Sequence, residues 1–328
     1  VSASVGVARS GPDCRTVESL MRRADIAMSA AKKLGRGRFV WFDASMEREL
    51  ETRNALEAGL RAGIPRGEIV PYFEPQVDLV TQSLHGFEML ARWDHPERGI
   101  VSPEEFIPVA EEAGLIGDLS LAVLSRAFVE ARGWDAALSL SVNISPVQLK
   151  DPWLAQKITK LLVETGFPPE RLEIEITESS LFENLGLAQA IVSSLRNQGI
   201  RLALDDFGTG YSSLAHLRAL PFERIKIDRS FIASINDNPD STAIVTAITR
   251  LAESLNLAVT AEGIEDETIE ARLRGIGRYQ GQGWLFGRPM PAADVRTMLT
   301  RRGLLPNPGL PVPTEVRIPI ARRASTGG

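Results

Sequence analysis

LEIEITESSLFENLGLAQAIVSSLRNQGIRLALDDFG, from Leu172 to Gly208, contains one complete strand–helix–strand unit. LEIEIT (172–177) is a short apolar run with isoleucine at alternate positions, the pattern of a buried strand. LAQAIVSSLRNQG spaces its apolar residues as a helix does and ends in Gly199, a residue suited to a left-handed cap. RLALDD (201–206) is a second strand. Parallel strands need a crossover of a dozen or more residues, usually a helix, so the two strands are expected to lie parallel. The second strand ends in adjacent acids, Asp205 and Asp206, followed by Gly-Thr-Gly. Neighbouring carboxylates repel each other and are costly where a chain enters a core. Glycine lets the loop turn away sharply without a Cβ clash.

The same alternation extends in both directions. Further strands are predicted at IVPYF (69–73), HGFEMLARW (85–93), LSLSVNI (138–144), ERIKID (223–228), LAVTAEG (257–263) and, weakly, RYQGQG (278–283). Helical patterns such as WLAQKITKLLVETG and DSTAIVTAITRLAESLN separate them. Eight strands alternating with helices imply a parallel sheet and fit an α/β fold of the TIM-type (β/α)8 barrel class. An open doubly wound sheet is the rival, but it usually carries a glycine-rich phosphate loop after its first strand, and none is present. DLVTQSLHG joins the first two strands without a helix, so the first strand is expected to be antiparallel to the second. The barrel is assigned to residues 64–303. A charged helix at 44–63 precedes it. Residues 1–43 read strand–helix–strand, a small N-terminal α/β fragment that is not a complete domain. Residues 304–328 are rich in proline and read as an extended tail.

Composition narrows the function. The 328 residues are 44% hydrophobic and 24% charged, as in an ordinary water-soluble protein, and no apolar run approaches the roughly 18 residues of a membrane helix. VSASVGVARS begins without Met and has no basic leader region, so it is read as the start of an excised piece. A membrane anchor upstream of the piece is left open, with no membrane contact by the piece itself. The single Cys14 excludes an internal disulfide and fits a reducing cytoplasm. A net charge of −5 argues against a broad grip on DNA or RNA. With three histidines only, a metal site would be built mainly from oxygen ligands, which favours Mg²⁺ or Mn²⁺ over Zn²⁺.

In a barrel of this kind the active site lies at the C-terminal ends of the strands. Those ends carry Glu88, Asn143, Glu175 with Glu178, Asp205 with Asp206, Lys226 with Asp228, Glu262 and Gln282. Each has a dull alternative: Asn143 as a helix cap, Glu178 in a surface turn, Glu88 facing outward, Lys226 and Asp228 as a simple ion pair. Polar groups at seven consecutive strand ends are not explained by such alternatives taken together. A carboxylate cluster this dense needs cations, and two adjacent acids can serve two ions.

The stretches FEMLARWDHPERG, FIPVAEEAGLI, SVNISPVQL, EIEITES, ALDDFGTGYSSL, IKIDRSFI, TAEGIED and QGWLFGRPMP, in this order between about residues 72 and 291, resemble the EAL family of cyclic di-GMP phosphodiesterases. SVGVA, RRADIAM and AKKLGRGRFVWFD resemble the C-terminal end of a GGDEF diguanylate cyclase domain, whose signature turn is absent. Lys32 and Arg36 match that family's phosphate-contacting pair, but on a fragment they read as solvated charges. The EAL resemblance implies hydrolysis of cyclic di-GMP to linear pGpG by water activated between two divalent cations, Mg²⁺ or Mn²⁺, with Ca²⁺ inhibitory. It implies Glu88, Asn143, Glu175 and Asp205 on one metal, Asp205 shared with Asp206 on the second, and Glu262 ligating directly or through water. Catalytic roles fall to Glu262, Lys226 and Asp206. Arg92 would contact a substrate phosphate, Gln282 would line the site, and Glu74, where many members have Gln, would touch a guanine or nothing. Glu178 would support the loop after Asp206, and Asp228 would back the ligands. The signature triplet reads Glu88-Met89-Leu90 in place of Glu-Ala-Leu, a change at a position that is not a ligand. Arg278 stands where the family often has Asp, and no role is assigned to it. Homodimerisation through the barrel is a further implication, as are an upstream GGDEF half and a sensory domain. The competing functions are a non-catalytic cyclic di-GMP receptor and an enolase-like barrel, which fits the motifs poorly. Receptors of this family usually lose several acids; here every named position is kept.

Overall fold

A computed structural model describes residues 2–182, 185–208, 217 and 220–305. The chain divides into two compact units between Ala62 and Gly63. In the first, β1 (Val5–Val7) pairs in parallel with β2 (Phe39–Trp41), Val5 opposite Phe39, across the helix Val17–Lys33. Thr16 caps that helix by accepting a hydrogen bond from the Ser19 amide, and Lys32 and Lys33 sit in its last turn, where cations suit the helix dipole. The expected charged helix is present and longer than its sequence pattern suggested, Ala44–Arg66, with Pro65 in its last turn.

The second unit is a closed barrel. Its strands are β3 (Ile69–Asp78), β4 (Leu84–His95), β6 (Ser139–Asn143), β7 (Leu172–Thr177), β8 (Arg201–Phe207), β9 (Arg224–Ile227), β10 (Ala258–Ala261) and β11 (Gln280–Gln282). From β4 through β6 to β11 neighbours run parallel, and β3 closes the ring antiparallel to both β4 and β11. The first barrel strand is therefore reversed, as the short connection required. Residues 79–83 make a hairpin between β3 and β4. Two short strands lie outside the ring: β5 (Gly99–Val101) on β4 and β12 (Met290–Pro291) on β3. No helix among the described residues is long and apolar enough to cross a membrane.

Strand alternation sorts the side chains. In β7, Leu172, Ile174 and Ile176 are fully buried on the outer face, in the layer covered by helices. Phe73, Phe87 and Trp134 meet in the same layer, Trp134 4.8 Å from Phe87 and 5.2 Å from Phe73. Glu173 and Glu175 alternate with the apolar residues and face the barrel interior, both buried. The interior is polar below the rim: Arg224 donates through Nε to both oxygens of Glu173, at 3.0 and 3.1 Å, and through a terminal nitrogen to the Thr260 hydroxyl at 3.2 Å. A buried carboxylate is tolerated only when paired and hydrogen-bonded, and Arg224 supplies both. Residues 306–328, most of the proline-rich tail, lie outside the described residues.

Candidate active site

The strand ends converge on one ammonium group. Lys226, on β9, is fully buried, with Nζ 2.5 Å from Glu175 Oε2, 2.5 Å from Glu262 Oε1, 3.4 Å from Glu88 Oε2 and 3.6 Å from Asp205 Oδ1. Burial alone would depress its pKa, but the charges of Asp205, Glu175, Glu262 and Glu88 outweigh burial and hold it well above the usual lysine range. Lys226 and Asp228 do not pair with each other. Asp228 caps the short helix Arg229–Ala233, accepting from the Ser230 amide at 3.0 Å and from the Ser230 hydroxyl.

Glu88 faces inward. Its Oε1 accepts from Asn143 Nδ2 at 2.5 Å and its Oε2 from Gln282 Nε2 at 2.6 Å. Gln282 also donates to Glu74 Oε2 at 3.0 Å; Glu74 stands opposite Glu88 in the β3–β4 register. Burial pushes the Glu74 carboxyl above the usual range, against the hydrogen bond from Gln282. Arg92, four residues beyond Glu88 on β4, is half-buried, with its guanidinium 5.7 Å from the Tyr72 ring centre and one terminal nitrogen donating to the Ala91 carbonyl. Asn143 therefore bonds to an acid of the cluster at the end of β6.

The adjacent acids are explained by a break in the ladder. Between Leu204 and Phe207 β8 advances three residues while β9 advances two, from Ile225 to Ile227. One residue is therefore extra, a β-bulge, and bulges re-aim side chains. Asp206 adopts φ 55°, the left-handed conformation that aspartate tolerates better than most residues. A regular strand would send Asp205 and Asp206 to opposite faces. With the bulge, Asp205, Asp206 and Glu262 each present a carboxylate oxygen within 4.8 Å of the others. Gly208 follows with φ 100°, and Thr209 and Gly210 lie outside the described residues.

Four carboxylates, Glu88, Glu175, Asp205 and Glu262, thus surround one lysine, and Asp206 joins two of them, Asp205 and Glu262. Burial raises Glu175 far above the usual carboxylate range, with Glu88 adding to it, and pushes Glu262 up to about 8. Burial also raises Asp206, with Asp205 and Asp228 adding. Oε1 of Glu175 is buried without a hydrogen-bond donor. An all-oxygen donor set, a tight carboxylate triplet and an orphaned carboxylate oxygen fit a hard divalent cation. Glu178 opens the five-residue helix Glu178–Phe182, almost wholly buried, and neither of its carboxylate oxygens has a hydrogen-bond partner. It is not in a surface turn.

The raised acids set a pH dependence. A carboxyl with its pKa lifted to about 8 still holds a proton at pH 7, and a cation must displace that proton to use the oxygen. Mn²⁺ affinity is expected to rise from pH 6 to pH 8, by up to about tenfold per unit for one displaced proton. Calorimetry across that range measures it, and a flat profile would refute the assignment of Glu262 to the cation site.

The comparisons with known proteins follow the same lines. A family model described as the EAL domain matches residues 57–289. The chain belongs to the EAL family. It is 37% identical over 299 residues to the bifunctional diguanylate cyclase/cyclic di-GMP phosphodiesterase MucR of Pseudomonas aeruginosa, covering 90% of this chain and 44% of that protein. It is 37% identical over 294 residues to the cyclic di-GMP phosphodiesterase PdeR of Escherichia coli, covering 89% of this chain and 44% of that one. A solved structure of the MucR phosphodiesterase in complex with c-di-GMP superposes with a TM-score of 0.71 at 36% identity, covering 74% of this chain and 99% of that one. An uncharacterized signaling protein of Caulobacter vibrioides is 43% identical over 303 residues, and this chain covers 37% of it. The chain spans less than half the length of these curated relatives.

Sequence patterning missed the interior layer below the rim. Its signal is the pairing of charges two apart within apolar strands, Glu173 with Glu175 and Arg224 with Lys226, since residues two apart in a strand share a face.

Proposed function

We propose that this EAL barrel hydrolyses one phosphodiester bond of cyclic di-GMP, giving linear pGpG. The observation that carries the proposal is the convergence of Asp205, Asp206 and Glu262 within 4.8 Å of one another, beside Lys226, at the C-terminal rim of an EAL barrel. Glu88, Asn143, Glu175, Asp205, Asp206 and Glu262 would hold two divalent cations, Mg²⁺ or Mn²⁺. Bound there, such cations supply Lewis acidity and lower the pKa of water enough to make it a nucleophile near neutral pH.

The chain's own groups do the rest. Arg92 would meet a phosphate of the substrate through its fork of N–H donors. Lys226, held protonated by its acids, would steady charge that develops on the phosphoryl oxygens as the water oxygen bonds to phosphorus. The P–O3′ bond breaks, the 3′-oxygen takes a proton, and a 5′-phosphate remains. Gln282 and Glu74 would line the site beside Glu88, Glu178 would support the neighbouring loop, and Asp228 adds negative charge behind Asp206. The receptor reading requires a site unable to turn over, and the acids named for catalysis are all present.

The test is cation dependence. Turnover is expected with Mg²⁺ or Mn²⁺, is lost in excess chelator, and is inhibited by Ca²⁺, whose longer bonds and higher coordination number suit a looser cage. Full activity in excess chelator would contradict the cation-based reading.

A further inference from the structure

Beneath the acids a chain of side-chain amides and hydroxyls crosses the barrel interior. Gln76, on β3, is 2% exposed, and Ser141, on β6, is fully buried. Gln76 Nε2 lies 3.0 Å from Gln282 Oε1, and Gln76 Oε1 lies 3.4 Å from the Ser141 hydroxyl. Gln282 Nε2 then reaches Glu88 and Glu74. The sheet register explains the alignment. Gln282 is the direct partner of Gln76 on β11, and Gly86 is its partner on β4. A Cβ at position 86 would come within 2.3 Å of Ser139 Oγ and 2.4 Å of the Ser139 carbonyl oxygen, so glycine there permits the close approach of β4 to β6.

The orientation of both glutamine amides is forced. An amide oxygen and nitrogen look alike in shape, so the network must assign them. Lys226 has no acceptor, so its contact with Glu88 Oε2 makes that oxygen an acceptor. Gln282 must then present its NH₂ to Glu88, which turns its carbonyl towards Gln76. Gln76 must answer with its own NH₂; reversed, it would bring two carbonyl oxygens to 3.0 Å in a buried setting, each without a donor. Its carbonyl therefore faces Ser141. The Ser141 hydroxyl has one proton and two acceptors in reach, Gln76 Oε1 and Glu173 Oε1 at 3.3 Å. Arg224 already donates to both oxygens of Glu173, so that carboxylate is paired whichever of the two acceptors the serine proton serves.

The geometry points to Gln76 and Ser141 as positioning residues that fix the orientation of the Gln282 amide and, through it, the carboxylate of Glu88. This rests on the proposed cation-holding role of Glu88. Groups that orient a metal ligand through hydrogen bonds typically change metal affinity 10–100-fold when removed.

The test is a double-mutant cycle read by Mn²⁺ calorimetry at fixed pH, without nucleotide, on variants shown to be folded by thermal unfolding. Gln76→Met, which keeps the shape, is expected to weaken Mn²⁺ binding by about tenfold, and Gln282→Met by at least as much. The double variant is expected to be no worse than Gln282→Met alone, because Gln76 acts through Gln282. Ser141→Ala is expected to produce a smaller loss in the same direction, which is also abolished in the Gln282→Met background. Parent affinity in Gln76→Met, or losses that multiply in the double variant, would overturn the proposal. A packing role alone would give such multiplied losses. The readout does not depend on turnover, so a parent protein that binds Mn²⁺ yet forms no pGpG would defeat the proposed function while leaving the relay to stand or fall on its own cycle.

Discussion

Asp205→Asn is expected to lower turnover of cyclic di-GMP by well over about 10²-fold, and Asp206→Asn by at least about 10²-fold, the range seen when a preorganised electrostatic group is removed. Both changes keep side-chain size and delete one negative charge. Asp205 is the more consequential because it touches both parts of the cluster: its Oδ1 lies 3.6 Å from Lys226, and it belongs to the triplet with Asp206 and Glu262. Asp206 reaches the triplet through the bulge alone. Dinucleotide binding should survive better than cleavage in both, since Arg92 is untouched. Measuring pGpG formation and ligand binding on each folded variant separates the two effects. Parent-level cleavage by both variants would make these acids ordinary rim carboxylates.

Lys226→Met is expected to be nearly as damaging to turnover, and to destabilise the cation-free protein as well. The change leaves Glu175, Glu262, Glu88 and Asp205 without the ammonium that all four face. Breaking a buried charge pair by removing one partner typically costs about 3–5 kcal/mol. The acids answer in part by taking up protons, so the loss should be larger at pH 8 than at pH 6: the folded-state pKa values of Glu175 and Glu262 are raised already, and stability from a raised acid is lost as pH rises through that value. Mn²⁺ should restore more stability to Lys226→Met than to the parent, because a bound cation neutralises the same oxygens. Urea unfolding with and without Mn²⁺ measures this, and equal cation-free stability of variant and parent would show that Lys226 does not neutralise the cluster.

Much of this was legible in the sequence because the barrel strands advertise themselves. LEIEIT alternates apolar and acidic residues and RLALDD is apolar after Arg201 up to its paired acids, and β7 and β8 occupy Leu172–Thr177 and Arg201–Phe207. The reversed first strand followed from a connection too short for a parallel crossover, and β3 is antiparallel to β4. What patterning misjudged was extent. IVPYF was expected to end before Pro75, yet β3 continues to Asp78. On the side away from β4, β3 pairs with β12 at Tyr72 and Phe73 and with β11 from Gln76, so Glu74 and Pro75 have no ladder partner there, and a missing N–H costs nothing in such a gap. β5 and β12 are too short to leave a periodic signal.

The site divides in the same way. Acids at strand ends can be read from sequence, because period two fixes which residues share a face. The joint inward aim of Asp205 and Asp206 could not be, because it depends on a bulge and on φ 55° at Asp206. Glu178 offered a surface turn as an equal alternative, and only packing shows it buried. Gln76 and Ser141 gave no signal at all: each is a common polar residue whose meaning comes from its partner across the barrel, Gln282 some two hundred positions away from Gln76.

The central claim is that the acids around Lys226 make this barrel a phosphodiesterase. Its most direct test is incubation of the purified chain with cyclic di-GMP and Mg²⁺ or Mn²⁺, followed by chromatographic separation of the products. The account predicts conversion to linear pGpG, absent in excess chelator and reduced at least about 10²-fold in Asp205→Asn. Cyclic di-GMP that is bound by the folded, cation-loaded chain but recovered intact would contradict it and make the barrel a receptor.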